Sequence, residues 1–503
     1  MSSDLLPEFR EYERTSTTVV NACLQPIFSK YLFQIKKGLA ELGIKSPLFV
    51  MQSNSGTLLS LRAAREPARI IESGPVAGAV ASKAYGKKIG SAEIISLDVG
   101  GTTAKAGVWV GNRFEVTTEY EVGGRIHGLR PVQGSGYPVK FPVVDLVEVG
   151  TGGGSIAQVD HEGILHVGPN SAGASPGPVC YGLGGSQPTL TDANLVLGRL
   201  NPQHLLGGQL TLHPELAQKA IIDKVARPLG LGLSEAAAGI LRIALANISA
   251  VLKAATLERG RDPRNMTLVV FGGAGPMHAC EVARQLEIKR VAIPPAAGLL
   301  SSLGLLLAEH VHDFVRTVMS PISDLDYRVI ASTFDEMEDR AKGLLRTEGV
   351  AEKDIVFQRF FDLRYIGQSY ELSIPIPWRH PDRQVAENAA RDFHRLHEAR
   401  YGHSDPDGAV ELVNVRSYGR APAMGRMPKA RAVSHRDLRP PRYRKVLLDE
   451  RMKDRCRIFD RGIMPPGSTG RGPCVVEDYD STLVIPSNAT YRIDSSGTFL
   501  VSL

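Results

Sequence analysis

Asp98-Val99-Gly100-Gly101-Thr102-Thr103 is the stretch of this 503-residue chain best equipped for phosphate chemistry. The apolar run Ile94-Ile95-Ser96-Leu97 leads into it, and Ala104-Lys105-Ala106-Gly107-Val108-Trp109 leads out. The pattern predicts a β-hairpin with a sharp glycine turn. Gly100 and Gly101 can take positive φ and expose backbone N–H groups with no Cβ in the way. Together with the hydroxyls of Thr102 and Thr103, such N–H groups can cradle phosphate oxygens. Asp98, at the strand end, is placed to hold Mg²⁺ or orient a water. An ordinary Gly-Gly hairpin with a solvated aspartate fits the same residues.

A second stretch has a related form. Thr267 to Phe271 is a buried strand, Gly272-Gly273-Ala274-Gly275-Pro276 a tight turn, and Met277 opens a helix. A strand–glycine turn–helix presents N–H groups to an anion or a flat base. His278, in the first helical turn, is either a general acid/base or a packed histidine. Gly150-Thr151-Gly152-Gly153-Gly154 places four glycines in five positions. That predicts close approach to a ligand or to another backbone, with a flexible loop as the alternative. Asp192 is a helix cap or an active-site carboxylate facing these loops. Glu148 sits near the end of the preceding strand. Two further segments are candidate substrate contacts: the polar turn Gln52 to Gly56, and the glycine-rich segment 123–136 with Arg125, His127 and Arg130.

The elements that must position these groups follow from hydrophobic spacing. Helices are predicted over Glu8 to Leu42 (with Pro26 near its first turn or kinking it), from Val76, over His213 to Glu258 in two pieces, Gly298 to Leu307, Leu325 to Glu348 and Pro381 to Tyr401. Strands alternate with them, an α/β pattern. Gly74 and Gly78 predict close helix packing. Four units are expected: a helical, connecting segment with the remnant of an earlier lobe (1–90), a core (91–318), an α+β domain (319–440) and a small β-rich domain (441–503).

Bulk composition restricts the class. With 43% hydrophobic and 22% charged residues the chain folds around sizeable cores. The net charge is +6, but no long Lys/Arg block carries it, which argues against nucleic-acid binding. The basic stretch Arg436 to Arg451, with Arg439, Arg442, Arg444 and Lys445, suits a solvated connector. Five scattered cysteines without C-x-x-C spacing suit a reducing cytoplasm. No signal peptide and no bilayer-spanning apolar run is expected.

Taken together, the motifs resemble the hydantoinase A/5-oxoprolinase family. The resemblance rests on Asp98-Val-Gly-Gly-Thr-Thr-Ala-Lys105, Gly152-Gly-Gly-Ser-Ile156, Ser171-Ala-Gly-Ala-Ser-Pro-Gly-Pro178, Thr191-Asp-Ala-Asn194 and Phe271-Gly-Gly-Ala-Gly-Pro276, in this order. Arg364-Tyr-Ile-Gly-Gln368 and Tyr401-Gly-His403 extend it toward the C-terminus. It implies an actin-like ATPase (ribonuclease H-like) domain followed by an α+β, β-rich region. It implies ATP with Mg²⁺ or Mn²⁺, used to open cyclic amides of the hydantoin or 5-oxoproline type through phosphorylation of the amide oxygen. Related members are ketone carboxylase subunits for acetone or acetophenone. By resemblance, Asp98 is catalytic and a metal ligand, and Gly100, Gly101, Thr102, Thr103 and Lys105 meet the phosphates. Gly272, Gly273, Ala274 and Gly275 lie near the adenosine, and Asp192, His278 and Glu148 serve the reacting end. Many members have aspartate at the position of Lys105, which here adds positive charge near the phosphates. Members usually carry an earlier lobe with its own Asp-x-Gly-Gly-Thr loop. No second copy occurs in this sequence, so half of the site is expected to come from a separate lobe, or the chain is truncated and non-catalytic. A hydantoinase B-type subunit is the implied partner.

Overall fold

The computed structural model describes residues 1–503 except 112, 119, 124–125, 128–129, 132–133, 204, 378–380, 424, 429–439 and 450. The candidate site rests on ten elements: α1 (Ser73–Lys88), β1 (Glu93–Val99), β2 (Ala104–Val110), β3 (Leu146–Val149), α2 (Leu190–Val196), α3 (Leu233–Ala255), β4 (Thr267–Phe271), α4 (Gly275–Gln285), β5 (Arg290–Ile293) and α5 (Leu300–Leu307). The strands lie in the order β3-β2-β1-β4-β5. β1, β4 and β5 are parallel, and β2 runs antiparallel between β1 and β3. This is the expected ribonuclease H-like α/β sheet of an actin-like ATPase domain.

β1 is apolar on both faces because both are covered. Ile95, Leu97 and Val99 join the large core cluster with Ile240, Ala244, Ile248 and Val251 of α3. Ile94 packs with Trp109, Val269 and Ala292, and it lies against Gly86 of α1. One expectation about apolar runs is corrected. The helical stretch Leu233–Arg259 is long and apolar enough to cross a bilayer. Its apolar face is instead filled by the sheet, so its composition is that of a core helix.

The sheet continues past β5 through Phe499–Ser502, Thr490–Ile493 and Thr469–Arg471. Residues 441–503 therefore do not form the separate β-rich unit expected. An uncovered β5 would leave a row of unpaired N–H and C=O groups. The pairing Val291↔Val501 and Ile293↔Phe499 removes that edge. The remaining strands of the segment, Arg442–Leu448, Arg451–Asp460, Cys474–Glu477 and Thr482–Ile485, make a four-stranded sheet. In it Arg442 and Arg444 both bond Glu477 (2.6 and 2.7 Å), an internal use for the basic stretch. Of that stretch, residues 436–439 and 450 lie outside the described residues.

A second sheet unites the first and third of the expected units. Phe49–Met51 pairs with Gly56–Leu59, which pairs with Glu309–Pro321, and the sheet continues through Val410–Ala421 and Val356–Tyr365 to Leu372–Ile376. Residues 1–90 are thus not a free connecting segment. Buried ions hold the joint, because a buried guanidinium is tolerated only when carboxylates compensate it. Arg69 lies between Glu66 and Asp313 (2.5 and 2.7 Å), and Arg416 bonds Asp362 (2.6 Å) and Glu8. The turn Gln52 to Gly56 is buried here rather than open to substrate: Asn54 donates to Asp313, and Gln52 to the carbonyl of Val311. The helix Glu11–Glu41 lies over this joint and runs through Pro26.

α1 and α5 cross at small residues. A Cβ on Gly304 would fall 1.7 Å from the carbonyl oxygen of Ala77, and one on Gly78 would fall 2.2 Å from the Phe271 ring. Gly304→Ala is expected to lower stability by about 1–3 kcal/mol through overpacking. Gly38→Ala, where a Cβ meets nothing within 4 Å, is expected to raise it by about 0.5–1 kcal/mol. Thermal and urea melts of the two variants check both signs.

Candidate functional site

The parallel pairing of β1 with β4 sets Asp98 directly opposite Phe271. The turns that follow these two strands therefore emerge side by side. Gly272 has φ +83°, and a Cβ there would lie 2.4 Å from both Asp98 Oδ1 and the carbonyl oxygen of Val99. Only glycine fits at that position. The amide of Ala274 donates to Val99 (3.0 Å), fastening the second turn to the first.

A third glycine segment braces the first from the other side. Gly153 and Gly154 donate to the carbonyls of Gly100 and Gly101 (2.9 and 2.6 Å). A Cβ on Gly152 would collide with Gly100 and Thr102 backbone at 2.7 Å. The close approach predicted for Gly150 to Gly154 is thus to another backbone. Thr191 completes the brace by donating its amide and its hydroxyl to the carbonyl of Gly153 (both 2.8 Å).

The Asp98 turn itself departs from expectation. Neither Gly100 nor Gly101 has positive φ. The turn closes with Gly100 N–H donating to Thr103 O (3.1 Å) without any residue at positive φ. A Cβ on either glycine would meet nothing within 4 Å. Nothing among the described residues therefore requires glycine at these two positions. The amides of Gly101 and Thr102 and the hydroxyls of Thr102 and Thr103 have no partner among the described residues. The result is an open ledge of hydrogen-bond donors with Asp98 at its root.

Asp98, Lys105 and Glu148 form one row across β1, β2 and β3. Burial pushes the Asp98 carboxyl up to about 6, and Lys105 opposes that rise only in part. Lys105 is occupied elsewhere: its ammonium lies 3.0 Å from Glu72 and 3.0 Å from Glu148, and these carboxylates raise its pKa. Tyr120 donates to the other oxygen of Glu72 (2.9 Å). The expectation of a lysine charge free for phosphate is corrected accordingly. Lys105 is a compensated cation that ties three strands and the start of α1 together. Sequence reasoning missed Glu72 and Tyr120, which lie 33 residues before and 15 residues after Lys105 in no recognisable spacing.

Two other candidates move away from chemistry. Asp192 is fully buried and accepts from the amides of Val179, Cys180 and Thr189 (3.2, 2.7 and 2.8 Å) and from the Thr189 hydroxyl (2.8 Å). Its carboxylate is saturated by this capping box and the adjoining loop. His278 is 1% exposed, with neither ring nitrogen hydrogen-bonded. Burial, with the nearby Arg199 cation, pushes it down to about 3, so it stays neutral and shielded from solvent. Arg125 lies outside the described residues, as do the side chains of His127 and Arg130.

The donor set fits a nucleotide with a lightly held divalent ion. Mg²⁺ is commonly bound through one or two carboxylates plus phosphate oxygens. Asp98 is the carboxylate at the ledge, and no cluster of three metal-ligating side chains occurs among the described residues.

Residues 14–314 match the Hydantoinase/oxoprolinase family model, and residues 325–501 match the Hydantoinase/oxoprolinase C-terminal domain. The chain belongs to the hydantoinase/oxoprolinase family. An uncharacterized protein of Methanocaldococcus jannaschii is 44% identical over 99% of this chain and 71% of its own length. Caprolactamase subunit alpha of Pseudomonas jessenii is 33% identical over 99% of the chain and 70% of its own length. The crystal structure of the ATP-dependent caprolactamase from that organism matches with a TM-score of 0.84 at 31% identity, covering 100% of this chain and 72% of that one. The gamma subunit of acetophenone carboxylase from Aromatoleum aromaticum is 32% identical over 99% of the chain and 68% of its own length. The chain thus spans about seven tenths of the length of these three relatives.

Half-buried Asp98 and buried His278 of this hydantoinase/oxoprolinase chain give opposite pH signatures. As pH rises from 4 to above 6, the unfolded chain ionises Asp98 before the folded one does, and stability falls. Asp98→Asn is expected to raise the melting temperature at pH 8 and leave it unchanged at pH 4. As pH falls from 6.5 toward 3, the unfolded chain takes up a proton that folded His278 refuses, and stability again falls. His278→Leu is expected to stabilise most at pH 4, the acid end of the series, and least at pH 8. Melting curves of both variants from pH 4 to 8 test the signs.

Proposed function

We propose that this chain is the nucleotide-using subunit of an enzyme that hydrolyses a cyclic amide of the lactam, hydantoin or 5-oxoproline type. The observation that carries the reading is the ledge after β1. Its two glycines answer to no contact among the described residues, its free amides and hydroxyls face outward, and a half-buried carboxylate stands at its root. The similarity to the caprolactamase alpha subunit over nearly the whole chain supports it.

ATP, when bound, supplies the phosphoryl group that turns an amide oxygen into a leaving phosphate. The chain's own part is positioning and charge stabilisation. The amides of Gly101 and Thr102 and the hydroxyls of Thr102 and Thr103 donate to phosphate oxygens. Asp98, ionised above pH 6, orients a water or holds the divalent ion beside them. Gly272 to Gly275 form the wall where the nucleoside rests, a backbone surface that fits against a flat base. Lys105, neutralised by Glu72 and Glu148, keeps β1, β2 and β3 in register under the ledge. A B-type subunit and a further lobe complete the enzyme in this reading. The free cysteines, four buried and one exposed, suit a cytoplasmic setting.

The identity to the acetophenone carboxylase gamma subunit favours a second reading. There the same ledge serves phosphorylation of a ketone enolate, followed by carboxylation on a partner.

The test is ADP release with Mg²⁺ by the chain, alone and with lysate of its own cell, on caprolactam, hydantoin, 5-oxoproline, acetone and acetophenone. Amide-stimulated turnover that drops roughly a hundredfold or more in Asp98→Ala is the expected result. Stimulation that survives Asp98→Ala overturns the assignment of the ledge. Ketone-dependent fixation of labelled bicarbonate would select the carboxylase.

A further inference from the structure

A cavity of about 790 Å³ opens between the ribonuclease H-like body and the second sheet. It is remote from the ledge. Gly111 and Phe114 line it beyond the end of the β1–β2 hairpin where Glu93 pairs with Val110, whereas the ledge follows the opposite end, where Asp98 pairs with Lys105. Five strand residues separate the two ends, roughly 17 Å at about 3.4 Å per residue.

The cavity has an aromatic body and a cationic end. Phe114, Phe360 and Tyr418 supply the apolar walls, and five cationic side chains line it against three acidic ones. Lys83 lies 5.5 Å from the Trp109 ring and 5.9 Å from the Phe114 ring. No carboxylate lies within ion-pair distance of Lys83 or Lys87 among the described residues. Glu309 is the acid whose field reaches Lys83, but Arg420 already bonds it (3.2 Å). Arg420 in turn keeps a buried Nε without a partner. Three cations therefore share one carboxylate. Burial and the neighbouring charges of Lys87 and Arg420 push the Lys83 pKa down, with Glu309 opposing. The arrangement leaves one buried donor, Arg420 Nε, without an acceptor and two ammonium groups without a counter-ion, and an anion would supply both.

We propose that this cavity is a second small-molecule site, for an organic carboxylate carried on an apolar or aromatic body, with the carboxylate held by Lys83, Lys87 and Arg420. The volume lies within the usual range for such sites, about 300–1,000 Å³. Phe114, Phe360 and Tyr418 take the apolar part. Lys83 sits in α1, whose first turn follows Glu72, the partner of Lys105. Occupancy of the cavity thus bears on the same helix that supports the ledge. The site does not depend on the reaction assigned to the ledge.

Calorimetric titration of the full chain with hexanoate, phenylacetate and 4-phenylbutyrate tests this, with 4-phenylbutyramide as the uncharged control. Saturable binding of at least one carboxylate, no binding of the amide, and a weakening of at least tenfold in Lys83→Met and in Arg420→Met are expected. Asp98→Ala should bind as the wild type does. Should either cavity variant fail to fold, ¹³C reductive methylation of the wild-type lysines provides the second measurement. The Lys83 signal should titrate below those of the exposed lysines and move upward by about one pH unit when the carboxylate is added. No carboxylate binding up to 10 mM, equal binding of the amide, or a Lys83 signal unmoved by ligand would each overturn the proposal.

Discussion

The parallel pairing of Glu93–Val99 with Thr267–Phe271 is the constraint on which the rest of the site depends. Because it sets Asp98 opposite Phe271, two glycine turns distant in sequence leave the sheet at one place. Parallel strands need covered crossovers. The helix Leu233–Ala255 lies within this crossover, and its apolar stripe packs beneath the turns it brings together. A register slip of one residue would put Asp98 among Leu97-facing core residues and its apolar neighbours at the ledge.

Charge is organised around that pairing in two ways. At the ledge, Asp98 is half-buried with little compensation, because Lys105 is shared by Glu72 and Glu148. A carboxyl held near 6 is poised between protonated and ionised states in the neutral range, a common feature of sites that do chemistry. Under the second sheet the pattern is the reverse. Arg69 and Arg416 are each matched by two carboxylates and sealed from solvent. Full compensation there suits a structural joint, and partial compensation suits a working surface.

The glycines separate along the same line. Gly272, Gly152, Gly78 and Gly304 are required by the chain itself, since a Cβ at each would strike a neighbouring backbone, carboxylate or ring. Gly100 and Gly101 are not. Composition alone makes all of these look alike, and the distinction appears only once each glycine's surroundings are known. That distinction directs attention to the Asp98 turn rather than to the denser glycine run at 150–154.

Much of this was legible in the sequence. The hairpin around Asp98, the strand–turn–helix at Thr267 to Ala283 and the order of the family motifs are local patterns, and local hydrophobic period with turn residues determines local structure. The family itself followed from those motifs. Other features were decided only by tertiary structure. The last strand closes the central sheet because β5 needed a partner along its free edge, a demand invisible in the residues of either segment. Asp192 became a saturated cap, and His278 a sealed neutral ring, because burial and neighbours, not residue type, decide whether a polar group can react. Lys105 found Glu72 and Glu148 through pairing across three strands and a helix start. Sequence thus determined which segments carry reactive groups. The fold decided which of those groups remain free, because hydrogen bonds and ion pairs between distant segments consume some and leave the others exposed.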